Sequence, residues 1–194
     1  MENASLAALD IRSAFLNGMT LTACTVNIVT TDGAAGRFGA TVSSMSSVSA
    51  DGERPTLLIC MHHKVSAALA IIENGHFCVN VLRDGQAMIS DSFAGRVALP
   101  NGDKFASTRW KISNNGQPRI EDALVTFDCR LQSSQQVGTH FVFIGEVMDV
   151  EAAESGSPLI YSNRAYGTLG RLPEGGPAVT ANHRVFRKVP YGRP

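Results

Sequence analysis

The hydrophobic positions of this chain fall mostly into short β-branched runs broken by Gly, Asn, Asp and Pro, with few stretches of helical spacing. Ser5 to Leu16 (SLAALDIRSAFL) carries apolar residues at three- and four-residue intervals, which predicts a helix that stops at Asn17-Gly18. Cys24 to Thr30 (CTVNIVT) is rich in β-branched residues and predicts a strand, followed by turn chemistry at Thr31-Asp32-Gly33. A second strand is expected from near Phe38, and a third, apolar enough to be central, over Thr56 to Met61 (TLLICM). Lys64 to Glu73 (KVSAALAIIE) has helical spacing and ends at an Asn74-Gly75 C-cap. His76 to Leu82 reads as another strand, and Gln86 to Ala94 as a short helix closed by Gly95.

The second half is longer-stranded. Leu124 to Gln136 and Thr139 to Val150 flank Val137-Gly138, which predicts a hairpin with long arms. In its second arm Phe141 and Phe143 alternate with Val142 and Ile144, so that strand is expected to be buried on both faces. Pro158 to Tyr161 suggests a last short strand, while Asp103 to Lys111 fits no single element. From Leu172 the chain turns to Gly, Pro and basic residues, which predicts an extended arm. Six or seven strands, two or three short helices and short connections predict a β-barrel with helices packed outside. Gly33, Gly36 and Gly39 are spaced G-x-x-G-x-x-G before a strand, so neither a Rossmann fingerprint nor a P-loop is present.

Composition narrows the function classes. With 44% hydrophobic and 18% charged residues in 194, the chain supports one packed domain. Seventeen basic residues balance seventeen acidic ones, which argues against a broad nucleic-acid footprint. The balance is uneven, however. From Arg171 onward there are five basic residues against Glu174 alone, so a basic arm of 171–194 follows an acidic domain of 1–170. The longest apolar run, Ala67 to Ile72, is far shorter than the roughly 20 residues of a membrane helix. Glu2 and Asp10 bracket the first apolar residues, which is unlike a secretory signal, and a cytoplasmic protein with no membrane partner is expected. Cys24, Cys60, Cys78 and Cys129 form no C-x-x-C pair and each sits in an apolar run, so they are expected as core residues and no metal site is expected.

Three stretches carry candidate chemistry. In Thr41 to Ser49 (TVSSMSSVS) six of nine residues bear hydroxyls between two apolar strands, a polar wall suited to a heteroaromatic edge or a phosphate, or else an exposed strand end. His62-His63-Lys64-Val65-Ser66-Ala67 joins a central strand to a helix; it is a phosphate cradle, or Ser66 is only an N-cap. His140 follows Gly138-Thr139 and is either a surface histidine or a functional one. A nucleophile elbow, an H-E-x-x-H motif and a carboxylate dyad are all missing, which leaves triad or metal hydrolysis with little support.

GATVSSMSSVSADGERPTLLICMHHKVSAALAIIENGHFCVNVL, then ISDSFAGR, DKFASTRW, ALVTFDCRL and VGTHFVFIGEV, resemble in order the short-chain flavin reductases. These are the reductase components of two-component flavin-dependent monooxygenases, such as the 4-hydroxyphenylacetate 3-monooxygenase reductase and the pyrimidine-utilisation flavin reductase. The resemblance covers about residues 10 to 170. It implies an FMN-binding split β-barrel, mainly β with a few peripheral helices, acting as a homodimer. The implied activity is reduction of FMN or FAD by NADH or NADPH, with reduced flavin passed to a separate monooxygenase. Position by position, Thr41, Val42, Ser43 and Ser44, with Ser46 and Ser47, would line the isoalloxazine and ribityl chain. Cys60, Met61, His62 and His63 would run beside the ring, and Lys64, Ser66 and Ala67 would approach the phosphate. Asn80, Ser92, Phe93 and Arg96 would complete the flavin pocket. His140 would sit by the nicotinamide as the catalytic residue, and Tyr166 would approach the same cavity. The chain departs from the family pattern in the longer Asp51–Pro55 loop, at Ala67 and at Met45. The alternative on the same barrel is a flavin- or heteroaromatic-binding module without turnover.

Overall fold

A computed structural model describes residues 2–170, with side chains from Asp10 onward. Helix α1 (Glu2–Leu21) runs through Asn17-Gly18, where the sequence predicts a stop. A tertiary contact overrides the local signal: the Asn163 N–H donates to the Thr20 carbonyl at 2.7 Å, satisfying an end of the last turn. The expected strand at Cys24 is two strands, β1 (Cys24–Thr25) and β2 (Asn27–Thr31), separated at Val26. There the chain changes partners, for the Val26 N–H donates to Leu159 O and its carbonyl accepts from Leu82 N–H.

β3 (Phe38–Val42), β4 (Met45–Ser49), β5 (Thr56–His62), helix α2 (Ser66–Asn74) and β6 (His76–Val81) follow. Helix α3 (Ala87–Phe93) and the small hairpin β7 (Trp110–Ile112) and β8 (Pro118–Ile120) come next. The long hairpin is β9 (Val125–Val137) and β10 (His140–Ala152), and the described residues end with β11 (Ile160–Ser162) and β12 (Ala165–Gly167). Gly75, at φ 70°, ends α2 by donating its N–H to Ile71 O at 3.0 Å, as its C-cap position requires.

Seven strands form one antiparallel sheet in the order β3-β2-β6-β9-β10-β5-β4, and β1, β11 and β12 form a second, smaller one. Among the described residues the architecture is mainly β with three α-helices, and hydrogen bonding does not close the large sheet into a barrel. Its two edge strands, β3 and β4, are nevertheless consecutive in sequence and joined only by Ser43-Ser44. One core lies against α2 and is built from Val29, Ile59, Ile71, Phe77, Val79 and Phe143; another packs Val26, Ile28, Leu82, Phe93, Ile120 and Leu159. β10 is buried on one face only, through Phe143, Gly145 and Val147, while Val142 and Ile144 stay half-buried. That corrects the expectation of a strand covered on both sides. All four cysteines are free; Cys78 and Cys129 are core residues as expected, whereas Cys24 and Cys60 are half-buried. The basic arm of 171–194 lies outside the described residues.

Candidate functional site

Strand pairing brings the three candidate stretches together. The Ser43-Ser44 link runs beside the end of β5, where Ser44 Oγ accepts from the Cys60 N–H at 3.1 Å and donates to the Cys60 carbonyl at 2.9 Å. Two residues further along β5, His62 pairs in register with His140, the first residue of β10. Cys60 and His62 share one face of their strand because side chains alternate with period two, and Val142 and His140 oppose them on β10. Ser44, Cys60, His62 and His140 are therefore contiguous although they span almost a hundred residues of sequence. The hairpin turn that delivers His140 is Gly138-Thr139, with Gly138 at φ 57°, a left-handed conformation that suits glycine.

The histidines form a group. The His62 ring lies 4.8 Å from that of His63 and 5.0 Å from that of His140, both edge-on. The Lys64 N–H donates to His62 Nδ1 at 3.1 Å, and Gln136 Nε2 lies 3.4 Å from His63 Nδ1. Thr139 Oγ1 lies 3.0 Å from His140 Nδ1. Partial burial, and then the positive neighbours His63, His140 and Lys64, hold the His62 imidazole below its ordinary pKa.

From Lys64 the chain enters α2 directly. Val65 occupies the N-cap and Ser66 is the first helical residue, so the Ser66 hydroxyl does not cap the helix. The N-terminal turn of α2 opens onto a cavity of about 280 Å³, bordered also by Arg37, Gly39, Lys104 and Phe105. Two cations and an uncapped helix N-terminus, against one carboxylate (Asp103, which accepts from the Phe105 N–H), give this cavity a net positive lining suited to an anion. Arg37 stacks its guanidinium 4.5 Å over the Phe105 ring, and Lys104 Nζ donates to the Phe93 carbonyl at 3.1 Å. The sequence reading missed Arg37 and Lys104. The only signal was the Asp103-Lys104-Phe105 run, in a stretch that fits no regular element by pattern.

Ser43 also borders three concavities. The largest, about 580 Å³, is lined by Met45, Ser46, Ser47, Cys24, Leu57, Phe127 and Val147 among others. A smaller one of about 190 Å³ lies among Thr41, Ser43, Ser90, Arg96, Tyr161 and Tyr166. Here the Tyr166 hydroxyl meets Asp91 Oδ1 at 2.7 Å and Ser90 Oγ at 2.9 Å, and Arg96 Nη1 reaches Asp91 Oδ1 and the Tyr166 oxygen, each at 3.3 Å. Burial first, and then the bond to Asp91, push the Tyr166 phenol above its usual pKa, so it remains a neutral donor. Thr41 Oγ1 donates to the Ser90 carbonyl at 2.7 Å, tying β3 to α3 at this point. The third concavity, about 240 Å³, separates Ser43 from the end of α1.

Not every expected residue presents a side chain here. Val42, Met61 and Ala67 turn theirs into the main core, leaving only backbone to offer. Phe93 is buried against Phe105 and Trp110, and Ser92 Oγ donates to the Met88 carbonyl at 2.9 Å. Asn80 is not part of the group. It is fully buried, its amide donates to Ile28 O and Thr30 Oγ1, and its Oδ1 accepts from the Ile120 N–H at 2.7 Å. With its hydrogen-bonding groups engaged inside the sheet, Asn80 ties β2, β6 and β8 together.

The chain is similar to several known proteins. The flavin reductase like domain matches residues 19–170. The FMN reductase (NADH) RutF of Methylorubrum populi is 42% identical over 177 residues, covering 91% of this chain and 86% of its own. Among solved structures, flavin reductase PheA2 superposes with a TM-score of 0.73 at 29% identity, over 82% of this chain and 98% of PheA2. BorF, the flavin reductase component of a bacterial two-component tryptophan halogenase, gives a TM-score of 0.71 at 27% identity, over 82% of this chain and 99% of BorF.

Proposed function

The chain belongs to the flavin reductase-like domain family, and from that premise we propose that it oxidises NADH, reduces FMN and supplies the reduced flavin to a separate monooxygenase component. The observation that carries this reading is the convergence of the Ser43-Ser44 link, the Cys60–Ser66 run and His140 at one end of the sheet, beside an anion cradle. FMN and NADH are the ligands in the names of the curated relatives, and a reductase component of a two-component system stands among the structural neighbours.

When both ligands are bound, the nicotinamide supplies a hydride and the flavin ring accepts it, so the redox chemistry is theirs. The chain's own work is binding and orientation. Thr41, Ser43, Ser44, Ser46 and Ser47 offer hydroxyls and backbone groups to the flavin, and Val42, Cys60 and Met61 offer backbone along its edge. Ser66 and Ala67 at the start of α2, with Arg37 and Lys104, hold the phosphate. Arg96 and Tyr166 border the adjoining concavity, with Ser92 and Phe93 supporting it from α3. His140 orients the nicotinamide next to His62 and His63.

The same reading completes the architecture. β3 and β4, the open edges of the sheet, are joined by two residues, which supports a split barrel. Leu58, Cys60, Val142 and Ile144 leave a half-buried apolar face on β5 and β10, which supports a homodimer. Four free cysteines fit the reducing cytoplasm. The flavin-reducing domain then occupies residues 1–170 and the basic arm 171–194.

The test is NADH oxidation at 340 nm with FMN, FAD or riboflavin added. Saturable turnover with free flavin is the expected result; tight flavin binding without turnover would refute the reductase reading and favour a binding module. His140→Ala is expected to lower NADH turnover at least about tenfold while the Kd for FMN stays within about twofold. Equal turnover in that variant would remove His140 from the mechanism.

A further inference from the structure

The fold brings three histidines from two strands into one group. His62 and His63 end β5, His140 begins β10, and Lys64 follows at once. The groups facing them are uncharged: Gln136 and Thr139 from the β9–β10 hairpin, and Val65 and Ser66 from the start of α2. Among the described residues every ion pair lies elsewhere, and no carboxylate offsets this cluster. Four potential cations held together without a counter-ion are a site for an anion.

We propose that His62, His63 and Lys64, grouped with His140, recognise the diphosphate bridge of the nicotinamide dinucleotide; this rests on the reading of the chain as an NADH-dependent flavin reductase. Two observations favour the dinucleotide over the flavin phosphate. The flavin phosphate already has its own cradle at Arg37, Lys104 and the start of α2. The His62 ring also lies 5.0 Å from His140, the residue assigned to the nicotinamide.

The His62 tautomer suits the role. Because the Lys64 N–H donates to His62 Nδ1 at 3.1 Å, the proton of the neutral His62 ring sits on Nε2, which leaves Nε2 as a donor for a phosphate oxygen. In the free enzyme partial burial, and then the neighbouring His63, His140 and Lys64, hold the His62 ring below its ordinary pKa; an arriving dianion offsets that repulsion and favours the imidazolium, whose Nδ1–H then gives up the bond from the Lys64 N–H. Dinucleotide affinity therefore rises as pH falls through and below the ordinary imidazole range.

The test is the KM for NADH and inhibition by inorganic pyrophosphate between about pH 8 and pH 5.5. In the unmodified chain, KM for NADH is expected to fall with pH and pyrophosphate to compete with NADH. The double variant His62→Asn, His63→Asn should raise KM for NADH about tenfold at the acid end, flatten its pH profile and weaken pyrophosphate inhibition, with kcat changed far less. His62→Lys, which keeps a fixed charge, should restore tight binding with little pH dependence. A KM for NADH unchanged in the double variant would overturn the proposal. So would a rise in KM for FMN with none for riboflavin, because the patch would then serve the flavin phosphate. If the unmodified chain oxidises no NADH with any flavin, the reductase reading fails by itself. Calorimetry of pyrophosphate binding then still decides the patch: heat lost in the double variant supports it, and heat retained overturns it.

Discussion

Arg119 is a place where the fold depends on a charge it has hidden. Its side chain is 7% exposed, and Nη2 lies 3.6 Å from an oxygen of Asp128, which is 0% exposed. Both Asp128 carboxylate oxygens are buried, and Arg119 and the Ser113 side chain compensate their charge. At that separation and an effective dielectric of about 20, the attraction is about 5 kcal/mol, and breaking a buried pair by removing one partner typically costs about 3–5 kcal/mol. The second pair, to Asp149 at 2.6 Å, involves a carboxylate 42% exposed and adds little. Arg119→Met is therefore expected to lose about 3–5 kcal/mol at pH 7.5. Burial already pushes the Asp128 carboxyl above its ordinary value, and loss of Arg119 pushes it further. A carboxylate with a raised folded-state pKa takes up a proton on folding, so the variant should regain stability as pH falls toward 5.5, by at most about 1.4 kcal/mol per unit. Asp149, held below its ordinary value mainly by its bond to Arg119, has the opposite sign: its contribution in the unmodified chain is lost only as pH falls below about 4. Urea denaturation at the two pH values measures both effects. Asp128→Asn added to Arg119→Met should recover more than half of the loss. A cost below about 1 kcal/mol, or a variant that weakens on acidification, would refute the reasoning.

Other expectations follow from the same geometry. Lys104→Met should weaken FMN binding by roughly tenfold or more and leave riboflavin binding unaltered, measured by quenching of flavin fluorescence, because only FMN carries the phosphate. Ser44→Ala removes the hydroxyl bridging both backbone groups of Cys60 and should weaken FMN binding about three- to tenfold in the same assay. Gly145→Ala would place a Cβ 2.4 Å from Phe77 Cζ and 2.9 Å from Cys129 Cβ, inside a packed core. It should cost about 1–3 kcal/mol by urea denaturation.

The alternation of apolar and polar residues, the Gly, Asn and Asp breaks and the local spacing were enough to mark most strands, α2, α3 and the long hairpin. These signals are local, which is why they are legible. α1 overran its Asn17-Gly18 signal because a distant N–H, from Asn163, completed its last turn. β4 was read at most as an exposed strand end, because serines are poor strand formers; pairing with β5 made it a strand. The unusual hydroxyl run, the His62–Ala67 junction and His140 were visible as candidate chemistry, and their order along the chain pointed to the family. That they form one site was decided by strand order, which sets β5 between β4 and β10 and puts His62 opposite His140. Burial then sorted the candidates. Asn80 is as polar in the sequence as Ser44, yet one spends its hydrogen bonds inside the sheet and the other stands at its edge. Arg37 and Lys104 entered the site through the packing of loops onto α2, which no periodicity encodes. Residue type and spacing announce which chemistry is available; which groups face one another, and which remain free to bind, is a property of the tertiary contacts.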